Sequence, residues 1–167
     1  MNWLKNPSCV FLFTLTNVIH FSKHQFHSGV SALRPHPFFR NNDVFRYNSK
    51  ARKTFKRSRN YNKYVQDHHC IPKQFQNHSL IELLEFDINN SENIYMMPNK
   101  KGKYILHLHP DTIVHEGGHH KYNMFVKEHL DCILLKPDYD EKKYEFWLFF
   151  KFLKDNLQFY NNNIPWK

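Results

Sequence analysis

The stretch His115-Glu116-Gly117-Gly118-His119 has the residue types of a metal site. Histidine imidazoles are common ligands of transition metals, and two of them four positions apart can reach one ion. The letters also match HExxH, the zinc-protease pattern in which the glutamate is the general base. One motif therefore has two interpretations: a peptidase helix, or the histidine ligands of a different metal centre.

The peptidase interpretation conflicts with the residues in and around the motif. Gly117 and Gly118 hold its middle positions, and each costs about 1 kcal/mol in a helix interior relative to alanine. Pro110 leaves less than a turn and a half of helix before His115. If the glycines instead form the turn into a helix that begins near His119, the conflict disappears and the two histidines still converge.

A second histidine pair, His68-His69, supplies partners for such a metal centre. Because adjacent strand residues point to opposite sides, both histidines serve one centre only if the strand ends or twists there. Pro72 favours such an ending.

The elements that must position these residues are short. The patterns predict a strand over 65–71, a short helix over 76–86, a strand around 94–97, an amphipathic helix over 120–135 and a long apolar helix over 141–160. Leu80, Leu83, Leu84 and Phe86 should form the apolar face of the short helix. The long helix should be covered by the domain or a partner. A chain of 167 residues is about one domain long, which excludes large parallel architectures.

The net charge of +9 is concentrated in residues 1–60, which carry eleven lysines and arginines and a single acidic residue, Asp43. Residues 50–59, KARKTFKRSR, read as a linker with no core. A nuclear-import address, a phosphate-binding arm, a processing site and a solvated tether all fit this composition. Residues 1–60 are therefore expected to be a leader followed by a basic, largely disordered arm that attracts polyanions.

The apolar run at residues 9–21 is too short to span a bilayer and has signal-peptide proportions. Secretion is favoured, and an organelle, the nucleus or an uncleaved arm stay open. Cys9, Cys70 and Cys132 have no CxxC spacing, which excludes a zinc ribbon and a dense disulfide framework. For Cys70 and Cys132, buried free thiols are favoured over a disulfide.

Three segments in one order resemble the AHH branch of the HNH nucleases: HHCIP at 68–72, FDINNSENIYMMP at 86–98 and HEGGHHKYNMFVKEHLDCI at 115–133. The resemblance covers about residues 64–135. It implies an α+β fold, a small ββα-metal (His-Me finger) nuclease core with added helices. The nuclease domain would occupy 61–137, and 138–167 would form a C-terminal helix packed on it.

The resemblance also implies a role for each matching residue. His69 would be the general base that takes a proton from the water attacking a phosphodiester. His68, His115 and His119 would bind one divalent metal ion, with Zn, Mg, Mn and Ni all open. Asn93 would pin the loop that aims the base.

Several residues depart from the family pattern or add to it. Asp67 stands where the family has alanine, and it is open whether Asp67 or His68 binds the metal. His107 and His109 are expected to be exposed or packing residues in the loop before the helix. His78 and His129 are expected at the surface.

The function implied is a metal-dependent endonuclease that hydrolyses phosphodiester bonds of DNA, with RNA as the second substrate. Its partners would be nucleic acid and an inhibitor or immunity protein in a toxin-like role, with no transmembrane span. Two alternatives come from other classes: a non-catalytic nucleic-acid-binding remnant of the fold, and a HExxH zinc metallopeptidase.

Overall fold

The computed structural model describes residues 45–158 and 163–166. The elements run α1 (Lys50–Ser58), β1 (Val65–His69), α2 (Ser79–Leu83), β2 (Ile94–Pro98), α3 (Lys100–Ile105), α4 (His120–Leu134) and α5 (Tyr139–Gln158). Single 3-10 turns at Tyr61–Lys63, Lys73–Phe75 and Ser91–Asn93 precede β1, α2 and β2. This mixture confirms the predicted small α+β fold. Residues 1–44 of the predicted leader and basic arm lie outside the described residues.

The two strands form an antiparallel sheet in which Val65 pairs with Pro98 and His69 with Ile94. Every residue of β2 is buried, so that strand lies inside the domain. Successive side chains of a strand point to opposite faces. Asp67 and His69 therefore share one face of β1, and His68 points to the other.

The core lies between the sheet and the three helices α2, α4 and α5. Helix α4 packs against both α2 and α5, and its apolar residues recur every three or four positions, as a buried helix face requires. The prediction that the long helix must be covered is confirmed, because α5 buries Phe146, Phe149, Phe150, Leu153 and Leu157. The prediction for Leu83 is wrong: its exposed fraction is 45%, and Ile81 is buried instead.

The basic segment 50–59 is not the linker that its composition predicts, because most of it forms α1. Ser49 caps the helix by accepting a hydrogen bond from the Arg52 N–H at 3.1 Å. The Arg52 side chain is only 1% exposed, and its Nε lies 3.0 Å from Asp67 Oδ2. Lys56 Nζ lies 3.3 Å from the other Asp67 oxygen. A charged side chain can be buried when it is paired, so Asp67 on β1 lets this basic helix pack on the domain.

Helix α3 was not predicted, and it holds the chain between β2 and the loop that carries His115 and His119. The Asn99 side chain caps it by accepting from Gly102 N–H at 2.7 Å. A Cβ at Gly102 would lie 2.0 Å from the Tyr64 carbonyl oxygen, so only glycine allows this close approach. Lys103 Nζ then donates to the Thr112 carbonyl at 3.0 Å and ties the following loop to the helix.

Two smaller predictions concern membranes and thiols. No described helix combines the length and the apolar character that a bilayer crossing requires. Cys70 and Cys132 are buried thiols that are not joined in a disulfide, as predicted. Cys9 lies outside the described residues.

Candidate metal centre

Three imidazoles converge at one end of α4. His68, His115 and His119 each offer a ring nitrogen, and these nitrogens lie within 4.8 Å of one another. His68 and His119 are 6% and 8% exposed, and His115 is half-buried. Bonds from imidazole nitrogen to zinc are about 2.1 Å, so the three nitrogens must move closer together to hold one ion.

Each histidine comes from a different structural context. His68 is on β1. The backbone N–H of His115 donates to the Pro98 carbonyl at 2.8 Å, which fixes the loop against the end of β2. Gly117 has a φ of +66°, a conformation that glycine adopts without strain, and His119 is the N-terminal capping residue of α4. The predicted glycine turn into the helix is therefore confirmed.

The same geometry contradicts the zinc-peptidase alternative. Residues 115–119 precede α4, so the motif is not the continuous helix that HExxH requires. Glu116 instead forms an ion pair with Lys100 at 3.1 Å.

The electrostatics of the cluster suit a metal ion. Burial lowers the pKa of His68 well below its usual value, and the neighbouring His115 and His119 lower it further. Burial also lowers the pKa of His115. Neutral imidazole is the form that binds metals. Among the described residues no group hydrogen-bonds the buried His68 Nε2 or His115 Nδ1. Because an unsatisfied buried polar atom is costly, this donor set fits a divalent ion.

His69 is outside the three-histidine cluster, on the other face of β1. Its Nε2 lies 3.3 Å from Asn89 Oδ1, and its ring meets the Tyr47 ring edge-on at 4.6 Å. Because an amide oxygen only accepts, this contact places the proton on Nε2 and leaves a lone pair on Nδ1. Burial lowers the pKa of His69, against the opposing effect of the Asn89 hydrogen bond. A neutral ring of this kind can accept a proton.

Asn93 fastens the chain that follows β1. Its side chain is fully buried. The amide nitrogen donates to the Ile71 carbonyl at 3.0 Å and the Ile88 carbonyl at 2.8 Å, and the amide oxygen accepts from Ile71 N–H at 2.7 Å. The segment just after His69 is thus held against the turn that leads into β2.

Asp67 points away from the three histidines. Its carboxylate pairs with Arg52 and Lys56 on α1, and it shares the opposite face of β1 with His69. His107 and His109 are exposed, as predicted. In the described part of the chain, the cluster that could hold a metal ion consists of the three histidines.

Two surface predictions for histidines are wrong. His129 is buried, and its ring stacks on Phe149 with centroids 4.6 Å apart. His78 is half-buried, and its Nε2 lies 3.0 Å from Asp131 Oδ1. Both histidines hold helices in place and lie outside the three-histidine cluster.

One aromatic residue beside the cluster was not found from the sequence. The Trp166 ring lies with its centroid 4.1 Å from that of His119 and 5.0 Å from that of His68. Its Nε1 donates to the Val114 carbonyl at 3.1 Å. The buried Tyr122 ring also lies beside His68, with 5.4 Å between the ring centroids.

Comparison with known protein families shows the family to which the chain belongs. The model of the AHH family, a nuclease family of the HNH/ENDO VII superfamily with conserved AHH, matches residues 49–145, more than half of the chain. The chain belongs to the AHH nuclease family. Comparison with curated proteins and with solved structures finds no match. Membership in the AHH family implies a nucleic-acid substrate. The match also begins before α1, which places that helix within the family region.

Proposed function

We propose that this AHH-family chain is a metal-dependent endonuclease of the His-Me finger type that hydrolyses phosphodiester bonds of DNA. His69 is the general base, and His68, His115 and His119 hold one divalent ion. The observation that carries the proposal is the convergence of three imidazoles beside a fourth, separately held one. RNA is the second candidate substrate, because nothing in the contacts of these residues selects against a 2′-hydroxyl.

The chemistry divides between the two faces of β1. His69 takes a proton from the attacking water, and Asn89 and Tyr47 hold its ring in place. Asn93 keeps the main chain after His69 fixed, so the ring is aimed before substrate arrives. A bound divalent ion supplies positive charge that offsets the charge developing on the phosphate and the leaving 3′ oxygen.

The donor set narrows the choice of metal. Imidazole ligands favour Zn, Ni or Mn over a dedicated Mg site, which prefers oxygen. Three ligands leave coordination positions open, so Mg supported by substrate phosphates also fits. We therefore include all four metals in the test of function.

That test incubates the purified full chain with supercoiled plasmid and, in parallel, with single-stranded RNA, each with Mg²⁺, Mn²⁺, Zn²⁺ or Ni²⁺. Nicking of the plasmid with at least one of these metals is the expected result. A protein that binds the plasmid and leaves it intact with every metal would support the alternative of a non-catalytic, nucleic-acid-binding remnant.

Glu116→Ala separates this nuclease from a HExxH enzyme. The Glu116–Lys100 ion pair lies near the surface, where such pairs contribute about 0–1 kcal/mol. The variant should therefore cut plasmid within about twofold of the wild-type rate, and Lys100→Ala is the matched control. If Glu116→Ala loses all activity and Lys100→Ala does not, Glu116 acts as the general base, as in a HExxH enzyme.

Trp166→Ala should weaken metal binding about 10- to 100-fold, the range found when groups that orient metal ligands are removed. The reason is that Trp166 packs on two of the proposed ligands and excludes water from them. Titration calorimetry with Mn²⁺ and Zn²⁺ measures the change, with the exposed Trp147→Ala on α5 as control. Equal affinities in the two variants would show that Trp166 does not support the ligands.

The biological setting stays a prediction from the sequence. Secretion rests on residues 9–21, outside the described part of the chain. The toxin-like role and the inhibitor or immunity protein rest on the resemblance alone.

A further inference from the structure

A cavity of about 350 Å³ lies between α1 and β1, on the face of the strand that carries His69. Its lining includes three basic side chains, Arg52, Lys53 and Lys56, and one acidic side chain, Asp67. The lining is therefore net positive. A concave positive surface concentrates anions.

The positive charge of this cavity is built into the fold. Arg52 Nη1 donates to the Phe45 carbonyl at 2.9 Å and Nε pairs with Asp67, so the guanidinium is held rigidly. Its buried Nη2 has no hydrogen-bond partner among the described residues. Lys56 is partly buried against the same carboxylate, whereas Lys53 is exposed. Thus Asp67 is already engaged by two cations, and Lys53 is left to meet a ligand from solvent.

Tyr47 connects this cavity to the proposed base. The Tyr47 side chain lines the cavity, and its ring contacts the ring of His69. Its backbone N–H donates to the Asn89 carbonyl at 3.0 Å, and the Asn89 side chain holds His69. Asp67 is two residues before His69 on the same strand face, which is about 6.6 Å along the strand. Tyr47 therefore lies between the cavity and the proposed base and contacts both.

We propose that this cavity binds a backbone phosphate of the nucleic acid next to the bond that is cleaved, and so sets the strand across His69. The inference rests on the proposed nuclease function and deepens it. A phosphate is negatively charged and therefore complements the net positive lining. Phosphate contacts position a protein on nucleic acid without reading its sequence. Lys53 makes the direct contact, and Arg52 supplies a fixed charge behind it.

The test measures binding apart from cleavage. Fluorescence anisotropy of a labelled DNA duplex is recorded with the full chain in the presence of a chelator, over a series of salt concentrations. Lys53→Gln should raise the Kd about threefold or more, and the slope of log K against log salt should fall by about 1, the amount lost with one phosphate contact. The matched control is Lys143→Gln. Lys143 is also exposed, but it is on α5, a helix that packs against α4.

The outcomes separate this inference from the nuclease function. If Lys53→Gln and Lys143→Gln change the Kd and the salt slope equally, the cavity is not a phosphate site. If Lys53→Gln alone weakens binding, the cavity proposal holds even when the wild-type protein fails to cut DNA with metal, and only the catalytic assignment is then lost.

Discussion

His69→Ala is expected to slow plasmid cleavage by about 100-fold or more, the usual loss when a general base is removed. The ring of His69 is held by Asn89 and Tyr47 on the face of β1 away from the three clustered histidines. The variant should therefore keep the metal while it loses the proton transfer. Single-turnover nicking rates with saturating metal give the comparison.

The control for His69→Ala is His109→Ala, because His109 is an exposed histidine in the loop after α3. It should cut at the wild-type rate. If His69→Ala cuts as fast as His109→Ala, another group takes the proton and His69 is not the base.

His68→Ala is expected to release the bound ion and to reduce cleavage about 10³-fold or more, since a metal ion contributes several kcal/mol to stabilising the charge of the transition state. His68 is the most buried of the three clustered histidines, and its low pKa keeps it neutral and ready to bind. Metal content after gel filtration and the nicking rate measure the two losses.

His129→Phe is the control for loss of a buried histidine, because His129 on α4 is buried against Phe149 of α5 and lies outside the three-histidine cluster. It should keep its metal. A His68→Ala protein that retains one equivalent of ion would show that the metal is bound elsewhere.

The elements that were predicted have strong local signals. Strand β2 ends at Pro98, β1 ends three residues before Pro72, and α4 and α5 have apolar residues at helical spacing. The two glycines of the HEGGH motif were enough to predict where α4 begins. Periodicity also contained a signal that was missed: His129 lies between Val126 and Leu130 on the buried face of α4.

The features that were not predicted depend on tertiary contacts. Charge dominates the sequence of α1, and only the pairing of Arg52 with Asp67 explains why this helix packs on the domain. Helix α3 contains Gly102, which disfavours a helix locally and is required by the approach of Tyr64. Trp166 is far along the chain from the histidines that it covers, and nothing in its local sequence marks that contact.

The pairing of Arg52 with Asp67 also explains the departure from the family triplet. Where alanine is conserved, Asp67 here neutralises a guanidinium that is 1% exposed. The carboxylate thus belongs to the packing of α1 and to the charge balance of the cavity beside it.

The central claim is that the three-histidine cluster holds the ion on which phosphodiester cleavage depends. Adding metal back to metal-free protein tests this claim most directly. The full chain is freed of metal with a chelator, exchanged into metal-free buffer and titrated with the most active ion while plasmid nicking is followed. The expected result is no cleavage by the stripped protein and full recovery near one equivalent of ion. Undiminished cleavage by the stripped protein would contradict the account.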